Sequence, residues 1–202
     1  MKHLVVILML VFATIAMAGK TAPKVPNVSI EELTKRYVKD LNDLTDEQRS
    51  IMNRVAELAH SFDLSYTVVA IAWQESNLGK YTVNLQDPSC GITHKRVDYY
   101  LKSKGLKDTP FMRNKICSEL MADIELAVAV AIEDLEYWKV YHKRRKIKND
   151  EVFQYMIRSY NGGYKFNSQA AKDYEKSVRA RIKALQQDLN FQLKINGLNC
   201  KK

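Results

Sequence analysis

Ile124-Glu125-Leu126-Ala127-Val128-Ala129-Val130-Ala131-Ile132 is apolar on nearly every side of a helix. Asp123 stands before it as an N-cap, and the pattern runs on to Arg144. The spacing predicts a long helix over 124–144, buried at the centre of the molecule. The segments on either side of it read as further helices.

Upstream, Thr45 with Gln48 forms a capping box, and Ile51, Val55, Leu58, Ala59 and Phe62 make the apolar stripe behind it. Ser65 opens a second helix that Gly79 is placed to end. Lys80 to Thr93 holds Asn84, Asp87-Pro88 and Gly91 and reads as a loop with a short hairpin. His94 to Ser103 is a short helix, and Phe111 to Leu120 is another. Downstream, Asn149 caps a helix that stops at Gly162-Gly163, and the final helix runs from about Ser168 to Leu189. Proline is absent from every proposed helix interior. The fold class is all-α: one domain over 29–195, with an active-site loop or hairpin after the Ser65 helix and a tail over 196–202.

The N-terminal end reads as an export signal. Lys2 precedes an apolar run from Leu4 to Met17, which ends in Ala16-Met17-Ala18 before Gly19. The run is shorter than the roughly 20 residues of a membrane-spanning helix. Residues 1–18 are therefore expected to be a cleaved signal peptide. The segment 19–28, with Pro23 and Pro26, reads as a linker, and Ser29 with Glu32 as the capping box of a first helix to about Leu41. The expected location is periplasmic or secreted.

The 202-residue chain has a net charge of +9, or +8 once Lys2 is removed. An exported basic protein meets anionic partners such as cell wall, lipid headgroups or nucleic acid. A nucleic-acid role needs a recognition motif, and none is present. The strongest basic cluster, Lys143-Arg144-Arg145-Lys146, sits where cations complement a helix dipole. Three cysteines are too few for a disulfide-built scaffold, but export permits one bridge. Cys90 and Cys117 bracket a polar segment and are the expected pair, with Cys200 left over. Their spacing, and the scattered His60, His94 and His142, match no zinc pattern, so no metal or other cofactor is expected.

Glu75 is the candidate catalytic residue. Val68, Ile71 and Ala72 lie seven, four and three positions before it, so all four side chains share a helix face. A carboxyl group held against apolar surface resists ionisation, which suits a proton donor near neutral pH. A core-edge Glu paired with a cation is the ordinary reading of a lone residue of this kind.

Three motifs reverse that balance. Glu75-Ser76, then Gly91-Ile92, then Ser159-Tyr160-Asn161-Gly162-Gly163 resemble in order the Glu-Ser, Gly-Leu-Met-Gln and Ala-Tyr-Asn-Ala-Gly motifs of the soluble lytic transglycosylases, a family of the lysozyme-like superfamily. Tyr174 with Val178 matches a later Tyr followed four residues on by Val. The resemblance covers roughly residues 50–190. His94 stands where the family has Gln, and Ser159 and Gly162 stand for Ala.

The resemblance implies a lysozyme-like fold and a lyase acting on peptidoglycan glycan strands. Glu75 would protonate the oxygen between N-acetylmuramic acid and N-acetylglucosamine, then take the proton of the muramyl 6-hydroxyl as a 1,6-anhydro ring closes. It also implies substrate-binding roles for Ser76, Gly91, Ile92, His94, Tyr160, Asn161 and Tyr174. Each has an ordinary alternative: a helix-end hydroxyl for Ser76, a solvated helix start for His94, core packing for Tyr160 and Tyr174, and a turn for Asn161. The protein is expected to act as a monomer, free or within a cell-envelope complex. Two other functions compete. One is a goose-type-like lysozyme hydrolysing the same bond, for which Asp87 is the nearest loop carboxylate. The other is an inactive wall-binding component of a secretion or phage apparatus.

Overall fold

The computed structural model describes residues 40–84 and 87–199. The signal segment, the linker, the Ser29 helix and Cys200 lie outside the described residues. Eight α-helices are present among those described: α1 Asp46–Ala59, α2 Ser65–Ser76, α3 Val97–Ser103, α4 Pro110–Ala122, α5 Ile124–Arg144, α6 Asn149–Gly162, α7 Gln169–Gln187 and α8 Leu189–Asn199. A three-stranded antiparallel sheet, β1 Val83–Asn84, β2 Ser89–Cys90 and β3 Lys95–Arg96, interrupts them after α2. The molecule is thus mostly helical with one small sheet.

The helix starts follow from capping side chains. Thr45 Oγ1 accepts from the Gln48 N–H at 3.2 Å and Gln48 Oε1 from the Thr45 N–H at 3.1 Å, the expected capping box. Asp123 Oδ1 accepts from the backbone of Glu125 and Leu126. Ser168 does the same for Ala171. The helix over 149–162 starts where expected, but Lys148 occupies the cap position without a side-chain bond, and Asn149 is its first residue.

Burial places the centre elsewhere than the sequence pattern does. α5 is buried through Ala127, Val128, Val130, Ala131, Ile132 and Leu135, yet Glu125, Ala129 and Glu133 remain exposed along one edge. The enclosed helix is α2, where Val68, Val69, Ala70, Ile71 and Ala72 have no exposure at all. It packs against α1, α5 and α7. Its apolar residues surround the helix because it has neighbours on several sides.

Two boundaries differ from the expected ones. The helix after the hairpin starts at Val97, not His94, because Lys95–Arg96 pairs with Ser89–Cys90 as β3. The C-terminal end is helical beyond residue 195. Asp188 Oδ1 accepts from the Phe191 N–H at 2.7 Å and opens α8, whose Phe191 and Ile195 are buried one turn apart. Phe191 meets the Tyr66 ring edge-on at 5.3 Å.

Cys90 of β2 and Cys117 of α4 are joined as a disulfide, with Cα atoms 5.2 Å apart. The bond fastens the sheet to α4, the pairing expected from the sequence.

Candidate active site

Glu75 stands in the last turn of α2, and 18% of its side chain is exposed. The carboxylate therefore leaves the core at the point where the helix ends. That end is tightly held. Asn77 takes the left-handed conformation at φ 53° and the Leu78 N–H reaches back to the Ala72 carbonyl at 3.1 Å. Asn77 rather than Gly79 thus terminates the helix. Gln48 of α1 donates through Nε2 to the Asn77 carbonyl at 2.8 Å. On the opposite side the Ser177 hydroxyl of α7 donates to Gln74 Oε1 at 2.7 Å, and the Arg181 guanidinium lies 5.4 Å from the centre of the Trp73 ring.

Ser76 is part of this helix end and not of a binding surface. It is fully buried, donates to the Ala72 carbonyl at 3.0 Å and accepts from the Gly79 N–H at 2.9 Å. Both hydrogen bonds go to the backbone, so the fully buried Ser76 takes the helix-end role rather than the substrate-binding one.

The β2–β3 turn, Gly91 to His94, closes over the site. Gly91 has φ 83°, and a Cβ there would stand 2.8 Å from the Leu120 carbonyl oxygen of α4, so only glycine fits. Ile92 is a core residue with 5% exposure. Both are buried and shape the turn from inside, where the resemblance implies substrate-binding roles. Thr93, fully buried, donates from Oγ1 to the Ala127 carbonyl of α5 at 3.3 Å.

His94 is neither solvated nor at a helix start. Its backbone is left-handed at φ 48°, uncommon for a residue with a side chain. The conformation turns the imidazole inward. Nδ1 lies 3.3 Å from Glu75 Oε2, and Nε2 lies 2.7 Å from the Tyr81 carbonyl oxygen. Burial works against the protonated ring, but the hydrogen bond and charge of Glu75, the Tyr81 carbonyl and the charge of Asp87 outweigh it and raise the His94 pKa above its ordinary value.

Two tyrosines complete the surroundings of Glu75. Tyr160, near the end of α6, donates its hydroxyl to the Thr93 carbonyl at 3.0 Å. It therefore holds the turn. Tyr174 of α7 is 8% exposed, and its hydroxyl interacts with the Glu75 carboxylate. Burial first, and then the negative charge of Glu75, with that of Asp134 on Tyr160, push both phenols well above their usual pKa and keep them neutral. Asn161 is exposed and lies about 100° round the helix from Tyr160. Of the expected site residues, Glu75, His94, Tyr160 and Tyr174 come together.

Asp134 of α5 and Lys95 of β3 belong to this neighbourhood without having been expected there. Lys95 Nζ lies 2.7 Å and 2.5 Å from the two Asp134 oxygens. Burial raises the Asp134 pKa against the lowering effect of Lys95. The signal was present: Ala127, Val130 and Ala131 precede Asp134 by seven, four and three residues, the spacing that marked Glu75. Two open hollows on the surface of the described residues, between α1 and α5 and between α6 and α7, include neither Glu75 nor His94 in their walls.

Compared with protein-family models, curated proteins and solved structures, the chain matches none.

Proposed function

We propose that this protein is an exported peptidoglycan lytic transglycosylase of lysozyme-like fold. The observation that carries the reading is the partly exposed carboxylate of Glu75 at the tip of the enclosed helix, ringed by His94 and two neutral tyrosines. Protonated Glu75 gives its proton to the glycosidic oxygen as the C1–O bond of N-acetylmuramic acid breaks, and the substrate's own acetamido group stabilises the cationic centre. The resulting carboxylate then takes the proton of the 6-hydroxyl as that oxygen bonds C1. A single group serves both steps, since it ends the first as the base that the second requires. The order of the Glu75, Gly91 and Tyr160 motifs supports the same reading.

Hydrolysis of the same bond is the competing reaction, and Asp134 is a structural candidate for a second carboxylate. Its tight pairing with Lys95 disfavours a role as free base. Mass analysis of muropeptides released from purified sacculi separates the readings. Anhydro-muramyl ends establish the lyase, reducing ends establish the hydrolase, and intact glycan leaves a wall-binding protein.

A further inference from the structure

We propose that His94 is a positioning residue that shares a single proton with Glu75, so that the acid of this site is a two-residue unit. Its catalytic consequence rests on the glycan-cleaving reading above, but the shared proton itself does not.

The argument starts at Tyr81. A carbonyl oxygen has no proton to give, so the 2.7 Å contact with His94 Nε2 requires the proton to be on Nε2. In the neutral ring this leaves Nδ1 with only a lone pair, and Nδ1 faces Glu75 Oε2 at 3.3 Å. A neutral imidazole opposite an ionised carboxylate would set lone pair against lone pair. The contact is bonding only when one proton lies between the two atoms. That proton sits on the carboxyl group, donated to Nδ1, or on Nδ1, donated to the carboxylate. The two arrangements are microstates of one protonated pair, and the pair titrates as a unit.

Neutral phenols and one engaged cation surround the pair. Tyr160 and Tyr174 are neutral phenols on α6 and α7. Lys95 is engaged by Asp134 of α5. Asp87, which accepts from the Ser89 hydroxyl in the hairpin, adds negative charge that favours retention of the proton. The left-handed backbone at His94 is what aims the ring, and its carriage by a firmly anchored turn keeps that aim fixed.

In the reaction the protonated pair releases its proton to the leaving oxygen through Glu75. The unprotonated pair then regains one proton from the 6-hydroxyl, so the balance closes over a turnover. His94 touches no sugar atom in this scheme. Its effect is to hold the proton beside Glu75, on a ring whose own pKa is raised there. The position is the one at which the sequence departs from the family glutamine, and glutamine cannot titrate.

Nitrogen NMR of histidine-labelled protein tests the shared proton without any activity assay. In the wild type the His94 ring should stay protonated to a higher pH than a free imidazole, with Nε2 protonated throughout. In Glu75→Gln the midpoint should fall by about one to three pH units, the effect of losing an opposite charge at this distance. Equal midpoints in the two proteins overturn the proposal. In muropeptide release from sacculi, His94→Gln should move the alkaline limb of the pH profile down by about one unit or more, and an unmoved limb overturns the catalytic part. Should His94→Gln fail to fold, the Glu75→Gln titration decides alone. Should the wild type release no muropeptides, the glycan reading falls, and the NMR result still stands or fails by itself.

Discussion

Tyr160 and Thr93, sixty-seven residues apart in sequence, are joined by a 3.0 Å hydrogen bond from the phenol to the backbone carbonyl. The bond ties the end of α6 to the turn that carries His94. The aromatic residue of the third motif thus acts on the site through the backbone of the second.

Tyr160→Phe tests this bond. The substitution keeps the ring and leaves the Thr93 carbonyl, in a fully buried residue, short of a donor. Stability should fall by about 1–3 kcal/mol in urea unfolding, the cost of a buried unsatisfied group. A variant as stable as the wild type would show that water replaces the phenol.

Glu75→Gln preserves the shape of the side chain and removes its proton. Release of muropeptides should drop by about two to four orders of magnitude, the usual range for loss of a general acid–base group. Circular dichroism should not change. Near wild-type turnover in the folded variant ends the proposed mechanism.

His142 and His94 should give stability opposite dependences on pH. His142 is fully buried, with Nε2 2.8 Å from the Ser159 hydroxyl. Burial, and then the positive charge of Arg145, lower its pKa. As the pH falls below about 6.5 the unfolded chain takes up this proton before the native state does, so the His142 contribution is present above that pH and is lost as the pH falls through the depressed native value. His94, with its raised native pKa, contributes fully below about 6.5 and loses that contribution as the pH rises through the native value. Melting temperatures over this range should show a shallower acid limb in His142→Gln than in the wild type. Parallel limbs would refute the assignment.

Reduction of the Cys90–Cys117 bond should lower stability by about 3–4 kcal/mol, from the 27-residue separation and the chain-entropy relation. Thermal melts with and without reductant, at a pH that limits reoxidation, measure it. An unchanged melting temperature would mean that the reduced chain keeps the sheet on α4 by packing alone.

Local features were legible in the sequence and long-range ones less so. Thr45, Asp123 and Ser168 act within three residues of themselves, so their caps could be read directly. The start of α8 was obscured because it follows α7 after the single residue Asp188 and buries little beyond Phe191 and Ile195. Ser76 misled because the same residue can hold a ligand or a helix end, and only the Gly79 contact distinguishes them. The role of His94 depends on three unrelated positions, Tyr81, Glu75 and its own left-handed backbone, and no local pattern encodes that meeting. Asp134 carried the same spacing as Glu75 but lay in a stretch read for its apolar content.

The four-residue turn from Gly91 to His94 draws one restraint from each of four helices. Leu120 of α4 fits against Gly91, Ala127 of α5 accepts from Thr93, Tyr160 of α6 donates to it, and Glu75 of α2 meets His94. None of these restraints is local in sequence; the β2–β3 ladder and the bond from the His94 N–H to the Gly91 carbonyl at 3.2 Å shape the turn, and the four helices fix where it stands. The placement of His94 beside Glu75 is therefore a property of the tertiary packing, not of the hairpin alone. A substitution at one of these contacts in α4, α5 or α6 thus reaches His94 through the turn without touching the imidazole.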